Sequence, residues 1–267
     1  MVEVVHWNPR SRVIRGHEFG RRRNNFGDLL GPVIVDAICR SRGLEPRSRD
    51  DRRLLCVGSV LHFAHDGDTV WGSGVNGKIG AGEYSFDRLD LRAVRGPRTR
   101  DWLLARGLAA PEVYGDPALL LPILFPQLRA TEKHRELAIV PNLHDAWKFR
   151  SHADFVNPQW NWRRVVREIT GAEIVVGSSL HGYVIGQAFG IPAALMTSDS
   201  EHPFKYLDYV EGTGGSVVQP EASLAAAINS ARAVARRRED PLAAWNAQSL
   251  LKAFPEDLWC QPVSEAR

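Results

Sequence analysis

Cysteine and long apolar runs are both scarce in this sequence. The three cysteines, Cys39, Cys56 and Cys260, form no CxxC pair and cannot all pair with one another, which suits a reducing compartment and offers no metal site. No apolar run approaches the roughly 20 residues of a transmembrane helix. Residues 1–23 mix His, Trp, Arg and Glu and do not resemble a signal peptide. We therefore expect a cytoplasmic protein with no bound metal ion.

A strong excess of charge is also missing, because the formal net charge is only +3. No zinc-finger spacing, RNP-like aromatic pair or dense basic stripe occurs, so we expect no nucleic-acid partner. The arginine clusters at residues 21–23 and 236–238 suit an anionic substrate or an anionic membrane surface. Solvated loops and helix faces explain each cluster equally well.

The composition is otherwise that of an ordinary soluble globular protein, with 44% hydrophobic and 24% charged residues. A chain of 267 residues can form one large or two small domains.

The most informative stretch is residues 173–192. Residues 174–176 (Ile-Val-Val) read as a buried parallel strand, and Ser178 and Ser179 stand where the next helix needs its cap. His181 then lies in the first turn of that helix, at the carboxyl edge of a parallel sheet, where ligands bind in open α/β sheets. The helix N-terminus attracts anions and favours a neutral imidazole. A merely capping histidine is the alternative, but Gly182 and the two serines leave backbone amides accessible.

Similar units recur along the chain. Predicted strands cover residues 2–7, 54–60, 69–74, 91–94, 137–140, 174–176 and 192–196, and predicted helices cover residues 29–39, 95–106, 160–169, 224–238 and 242–254. An arginine-rich loop is expected before residue 24. Because strands alternate with helices in two blocks, we predict an α/β protein of two Rossmann-like, doubly wound domains facing a cleft, residues 1–130 and 131–267.

Two further segments carry polar residues at strand or helix ends. Residues 24–28 (Asn-Asn-Phe-Gly-Asp) open a helix and make Asn25 and Asp28 site candidates, although a helix cap alone would explain them. Residues 72–77 match GxGxxG, but the following residues are too rich in glycine for the required helix. We therefore expect no NAD site there, and a loop whose amides face the cleft.

Basic side chains supply candidates for binding an anion. Arg95 and Arg98 flank a predicted helix N-terminus, where guanidinium groups bind phosphate or carboxylate. A solvated basic turn is the alternative. His144 follows a predicted strand and is a second histidine expected to face the cleft.

Residues 178–182 (Ser-Ser-Leu-His-Gly), running into residues 188–192 (Ala-Phe-Gly-Ile-Pro), resemble the signature of the polysaccharide pyruvyl transferase family, in its bacterial exopolysaccharide form. The resemblance recurs at residues 25–28, 94–99, 115–118 and 204–209 and spans roughly residues 24–210. It implies a compact arrangement of two units like that of glycosyltransferase-B enzymes.

The resemblance also implies an activity. The donor would be phosphoenolpyruvate, and the product a pyruvate ketal on two hydroxyls of a sugar in an exopolysaccharide or its lipid-linked precursor, with release of phosphate and no cofactor. His181 would act as acid or base, and Asp28 would assist the acceptor hydroxyl. The substrate-binding residues would be Asn25, Arg95, Arg98, Asp116, His144, Ser178, Ser179, Gly182 and Lys205, with Asp116 as readily structural.

One residue departs from the commoner family pattern. Ser179 stands where many family members carry arginine, so the missing guanidinium is supplied from elsewhere, or serine hydroxyls and amides hold the phosphate. A lipid-linked acceptor would further imply peripheral contact with the inner membrane surface.

Two other functions remain open. A glycosyltransferase would need an acidic residue for the ribose of its nucleotide-sugar, for which Glu201 and Asp199 are the candidates. A non-catalytic carbohydrate-binding protein would use exposed aromatic rings, for which Trp147, Trp160 and Trp162 are available, although core packing explains each. The convergence of Arg, Lys and His on one cleft favours an enzyme.

Overall fold

A computed structural model of the chain describes residues 2–14, 17–45, 52–215, 219–238 and 240–260. Its strands are β1 (Glu3–Val5), β2 (Arg10–Ile14), β3 (His17–Arg22), β4 (Arg53–Leu55), β5 (Thr69–Trp71), β6 (Asp90–Ala93), β7 (Arg135–Ile139), β8 (Ala172–Gly177) and β9 (Ala193–Leu195). Its α-helices are α1 (Leu30–Ser41), α2 (Pro97–Ala105), α3 (Leu121–Leu124), α4 (Trp162–Thr170), α5 (Leu180–Ala188), α6 (Phe204–Gly212), α7 (Leu224–Arg237) and α8 (Ala247–Lys252).

The first half of the chain forms a parallel sheet with the strand order β1-β4-β5-β6. Its central side chains Leu54, Leu55, Val70 and Trp71 are fully buried, as expected for parallel strands that are covered on both faces. The order follows the chain without a reversal.

The second half forms a smaller parallel sheet, β7-β8-β9. A parallel bridge adds Phe155 beside Ile139. This bridge lies on the edge of β7 away from β8, because Ile139 bonds the segment around Phe155 whereas Val140 N donates to Val176 O of β8. The chain order therefore reverses at β7, and ligands bind at the carboxyl ends of strands beside such a reversal.

The α/β class predicted from the sequence is confirmed by these parallel sheets and the helices between them. One hydrophobic core runs from the first sheet into the second and joins residues such as Leu30 and Leu54 to Val175 and Val184.

Several elements differ from the sequence prediction, and the short helix α3 is one that it did not include. The expected arginine-rich loop contains the antiparallel hairpin β2–β3, whose strands carry few apolar residues and so give only a weak period-two pattern. Helix α6 was not predicted, since its polar residues Lys205, Asp208 and Glu211 interrupt the apolar pattern.

The C-terminal segment returns to the first sheet. Trp71 Nε1 donates to Leu250 O at 2.9 Å, Arg42 pairs with Glu256, and Cys260 forms an antiparallel bridge with Glu45. Residues 240–260 therefore pack against the first half, although the sequence assigns them to the second unit. No helix in the described part of the chain is both long and apolar enough to cross a membrane.

Candidate active site

A cavity of about 220 Å³ opens where the carboxyl ends of β4, β7 and β8 meet. Its lining residues are Trp7, Asn25, Asp28, Gly58, Ser59, Val60, His62, Lys78, Asn142, Leu143, His144, Ser179, Leu180, His181, Glu201 and Lys205. Both halves of the chain contribute. Six of the eleven predicted site residues line it: Asn25, Asp28, His144, Ser179, His181 and Lys205.

His181 is positioned by the junction between β8 and α5. Ser179 Oγ caps the helix by accepting from Gly182 N at 3.2 Å, and Ser179 N donates to Val140 O at 3.1 Å. Gly182 allows α5 to approach β7 closely, since a Cβ there would lie 2.8 Å from Val140 Cβ. His181 is only 8% exposed. The predicted position of this histidine, in the first turn at the sheet edge, is confirmed.

Asp116 lies behind His181 and does not line the cavity. Its carboxylate is fully buried, and its Oδ1 accepts from Ala118 N at 2.9 Å. Its Oδ2 lies 3.5 Å from His181 Nε2, and neither atom has a hydrogen-bond partner at normal distance. Because a buried carboxylate oxygen needs a donor, this geometry favours the proton on Nε2 and leaves Nδ1 as the basic nitrogen.

The imidazole lies against Gly27. A Cβ at residue 27 would come within 2.1 Å of His181 Nδ1, and one at Gly58 would come within 3.8 Å of His181 Cε1. The Phe-Gly-Asp segment before α1 therefore needs a glycine next to the ring.

Asp28 shares this side of the cavity with His181. Asn25 Nδ2 donates to Asp28 Oδ2 at 2.6 Å. Burial raises the pKa of Asp28 above its ordinary value, although His181, Asn25 and Lys205 each act to lower it. A carboxylate whose pKa is raised is suited to accepting a proton.

Lys205, in the first turn of α6, lines the same cavity together with Glu201 and Lys78. Glu201 Oε2 is 2.9 Å from Lys205 Nζ and 3.0 Å from Lys78 Nζ. Burial lowers the pKa of Lys205, and the attraction of Glu201 opposes that shift. Burial acts to raise the pKa of Glu201, but the two lysines outweigh it and lower that pKa.

Ser178 and Asn142 form a buried polar network at the wall of the cavity, which Asn142 lines and Ser178 does not. Asn142 N and Nδ2 donate to Ser178 Oγ at 3.1 and 3.2 Å, and Asn142 Nδ2 also donates to Asp145 Oδ2 at 2.6 Å. Ser178 Oγ donates to the same Asp145 oxygen at 2.8 Å. Ser178 thus holds β7 and β8 together, whereas His144 is exposed at the rim.

Arg95 and Arg98 do not reach the cavity, contrary to the expectation that they bind a donor anion. Arg95 is fully buried, with its Nε donating to Asp208 Oδ2 at 2.9 Å. Arg98 forms a forked pair with Glu211, at 2.9 and 2.7 Å. Both arginines do pair with anionic groups, but these groups are carboxylates of α6 in the same chain.

A larger cavity of about 540 Å³ lies at the opposite, amino-terminal end of β7 and β8 and contains none of the predicted site residues. Among the residues that the structure describes, no three His, Cys, Asp or Glu side chains are grouped so as to hold a metal ion.

Comparison with known proteins shows to which family the chain belongs. The family model for polysaccharide pyruvyl transferase matches residues 47–200, more than half of the chain. The chain belongs to the polysaccharide pyruvyl transferase family. The family resemblance predicted from the sequence is thereby confirmed.

One curated family relative is the succinoglycan biosynthesis protein ExoV of Rhizobium meliloti (strain 1021), 31% identical over 207 residues. The match covers 72% of this chain but only 63% of ExoV, so the chain matches less than two thirds of the length of that relative. A crystal structure of a functionally uncharacterised protein from Klebsiella pneumoniae covers 66% of this chain and 80% of its own, at 13% identity and a TM-score of 0.42.

The matched region of this pyruvyl transferase family member includes His181, Asp116 and Lys78 but not Asp28 or Lys205. Sequence reasoning missed Lys78 and Asn142 as lining residues and considered Glu201 only as a ribose ligand. Lys78 follows the GxGxxG-like segment, and a single lysine after a glycine-rich loop carries no local sequence signal of a binding role.

Proposed function

We propose that this protein transfers pyruvate from phosphoenolpyruvate to two hydroxyls of a saccharide in an exopolysaccharide or its precursor, forming a ketal and releasing phosphate. The single observation that supports it best is the His181 imidazole, which is backed by a buried carboxylate and faces a cavity shared with Asp28, Lys78 and Lys205. Membership of the pyruvyl transferase family supplies the reaction class.

The reaction requires one proton to be donated to the methylene group of phosphoenolpyruvate and one proton to be removed from each of the two sugar hydroxyls. Protonation of the donor methylene at C3 makes C2 electrophilic, and a sugar hydroxyl then attacks C2 as its proton is taken by a base. Phosphate leaves with the electrons of the C2–O bond, and a second hydroxyl closes the ketal and loses its proton. In this proposal the imidazolium form of His181 donates its Nδ1 proton to C3, and Asp28, 2.6 Å from Asn25 Nδ2, accepts the proton of the first hydroxyl. The neutral Nδ1 of His181 then takes the proton of the second hydroxyl as the ketal closes, and the departing phosphate carries away the proton held by Asp28.

Asp116 is a positioning residue in this scheme. Its Oδ2, 3.5 Å from His181 Nε2, holds the tautomer that leaves Nδ1 free to act as base and stabilises the imidazolium that forms. Ser179 lines the same cavity, and its hydroxyl, which accepts from Gly182 N at 3.2 Å, can still donate to an anionic group.

We propose two units, residues 1–130 and 131–267, in a compact glycosyltransferase-B-like arrangement, with the cavity between them and with residues 240–260 of the second unit packing back on the first. The cavity is lined by residues up to Lys78 and by residues from Asn142 onwards, which supports this division. We also propose a cytoplasmic location, with peripheral membrane contact where the acceptor is lipid-linked.

A nucleotide-sugar glycosyltransferase is less well supported. Glu201 is bound to two lysines, and Asp199, which pairs with Lys148, does not line the cavity. Of the tryptophans available to a carbohydrate-binding protein, Trp162 is buried against Phe125 and Trp160 packs on Arg164, whereas Trp147 is 66% exposed.

Calorimetric titration tests the donor. Phosphoenolpyruvate should bind to the purified protein, whereas UDP and NAD should not. A variant with His181→Asn should bind phosphoenolpyruvate yet release no phosphate when a saccharide acceptor is added. Binding of UDP in place of phosphoenolpyruvate would transfer the assignment to a glycosyltransferase.

A further inference from the structure

Two lysines from distant segments meet at one carboxylate inside the cavity. Lys78 comes from the loop after β5, Lys205 comes from α6, and Glu201 Oε2 lies 3.0 and 2.9 Å from their ammonium groups. The side chains of Glu201 and Lys205 are 11% and 12% exposed, and that of Lys78 is 36% exposed. The sequence contains only five lysines, and two of them converge on this carboxylate.

This cluster is the positive end of the cavity. Two ammonium groups face one carboxylate, which leaves one positive charge unbalanced within the cluster. The described residues that line the cavity include two lysines, Lys78 and Lys205, and no arginine. The arginines that the sequence suggested for this task are bound to Asp208 and Glu211.

We propose that Lys78 and Lys205 together form the anion-binding end of the cavity, and that Glu201 holds their ammonium groups in place and competes with the incoming anion. The group bound is the phosphate or carboxylate of the donor. That identification rests on the proposed function, whereas the anion site itself does not.

The geometry explains why both lysines are needed. The Oε2 atom of Glu201 already occupies a point within hydrogen-bonding distance of both ammonium groups, which is the position that an oxygen of a bound phosphate would take. A second anion beside Glu201 is repelled by its carboxylate. Binding therefore requires Glu201 to move aside or to share the lysines, and neutralising Glu201 removes this competition.

Calorimetric titration with inorganic phosphate and with phosphoenolpyruvate tests the site. Lys78→Met should weaken binding of both ligands by about 10–100-fold, since a charge-assisted hydrogen bond is lost, and Lys78→Arg should restore part of it. Glu201→Gln should bind inorganic phosphate more tightly than the wild-type protein. Lys252→Met, at an exposed lysine of α8 outside the cavity, is the matched control and should leave both affinities unchanged.

The outcomes separate this inference from the proposed function. Unchanged phosphate and phosphoenolpyruvate affinities in a folded Lys78→Met variant, or no binding of either ligand to the wild-type protein, would overturn the anion site. Weaker phosphate binding by Glu201→Gln would overturn the competing role of Glu201. Phosphate binding that depends on Lys78, in a protein that forms no ketal from phosphoenolpyruvate, would keep the anion site and refute the pyruvyl transfer.

Discussion

Asp28 carries a carboxyl group whose surroundings disfavour its charge. Burial raises the pKa of Asp28. Between the ordinary pKa of aspartate and this raised value, the folded protein binds more protons than the unfolded chain, so stability falls as the pH rises through that interval. Burial therefore makes the charged form of Asp28 unfavourable, and a carboxylate in that state is suited to accepting a proton.

Asp28→Asn should therefore raise the melting temperature near neutral pH while abolishing turnover. The stability gain should shrink in acid, below the ordinary aspartate pKa, where both states carry a protonated carboxyl. Thermal melts of both proteins across a pH series provide the measurement. A variant that is less stable than the wild-type protein at neutral pH would show that Asp28 is held as a stabilising anion.

Asp116 affects the chemistry only through His181. Asp116→Asn should lower kcat by about 10²–10⁴-fold, the usual contribution of general acid–base catalysis, with little change in KM for phosphoenolpyruvate. The pH profile of kcat should also shift, because the imidazole loses its carboxylate partner at 3.5 Å. A variant whose kcat and pH profile both match the wild-type protein would exclude the positioning role.

At the scale of elements, the segment that enters α1 forms one wall of the site. Gly27 lies against the imidazole, and an added Cβ would approach His181 Nδ1, Cγ and Cβ within 2.1, 2.6 and 2.9 Å. Rotation of the imidazole about the Cβ–Cγ bond cannot relieve all three contacts, because that rotation moves neither Cβ nor Cγ.

Gly27→Ala should therefore displace His181 and reduce turnover by at least about 100-fold, since displacements near 1 Å can cost that much. Gly82→Ala is the matched control, because no atom lies within 4 Å of a Cβ there, and it should keep full activity. Steady-state assays of both folded variants provide the comparison. Equal activity in the two variants would show that the ring is not fixed by this wall.

The strand–helix unit that carries His181 could be predicted from sequence, because its β-branched run, cap and helical repeat are all local signals. Helix α6 could not, since Asp208 acquires its partners only in the folded chain. The bond from Arg95 to Asp208 spans 113 residues, and the Lys78–Glu201 pair joins similarly remote segments. Local patterns therefore located His181 and Lys205, but they did not reveal Lys78 or the pairing of Arg95 and Arg98 with carboxylates of α6.

At the scale of the whole molecule, Asp208 joins the two halves. Its carboxylate accepts from Arg95 Nε at 2.9 Å and from Thr99 N and Oγ1 at 2.8 and 2.7 Å. It thus caps α2 from another part of the chain, where Gly96 offers no side chain. Gly96 and Gly212 permit the approach, since a Cβ at either position would overlap the facing backbone.

Asp208→Ala should lower the free energy of unfolding by about 3–5 kcal/mol, because it leaves the Arg95 charge buried and unpaired. Glu211→Gln removes the partner of Arg98 at a position where both side chains are partly exposed. It should cost less than about 1 kcal/mol. Chemical denaturation of the two variants compares these costs. Equal losses would show that solvent reaches the Arg95–Asp208 pair.

The most direct test of the account is a turnover experiment. The protein would be incubated with phosphoenolpyruvate carrying carbon-13 at C2 and with glycosides that offer a free pair of hydroxyls, and followed by carbon and phosphorus NMR. The account predicts a quaternary ketal carbon and one phosphate released per ketal, with neither formed by His181→Asn. A His181→Asn variant that forms ketal at the wild-type rate, or a wild-type protein that binds phosphoenolpyruvate but forms no ketal with any acceptor, would contradict it.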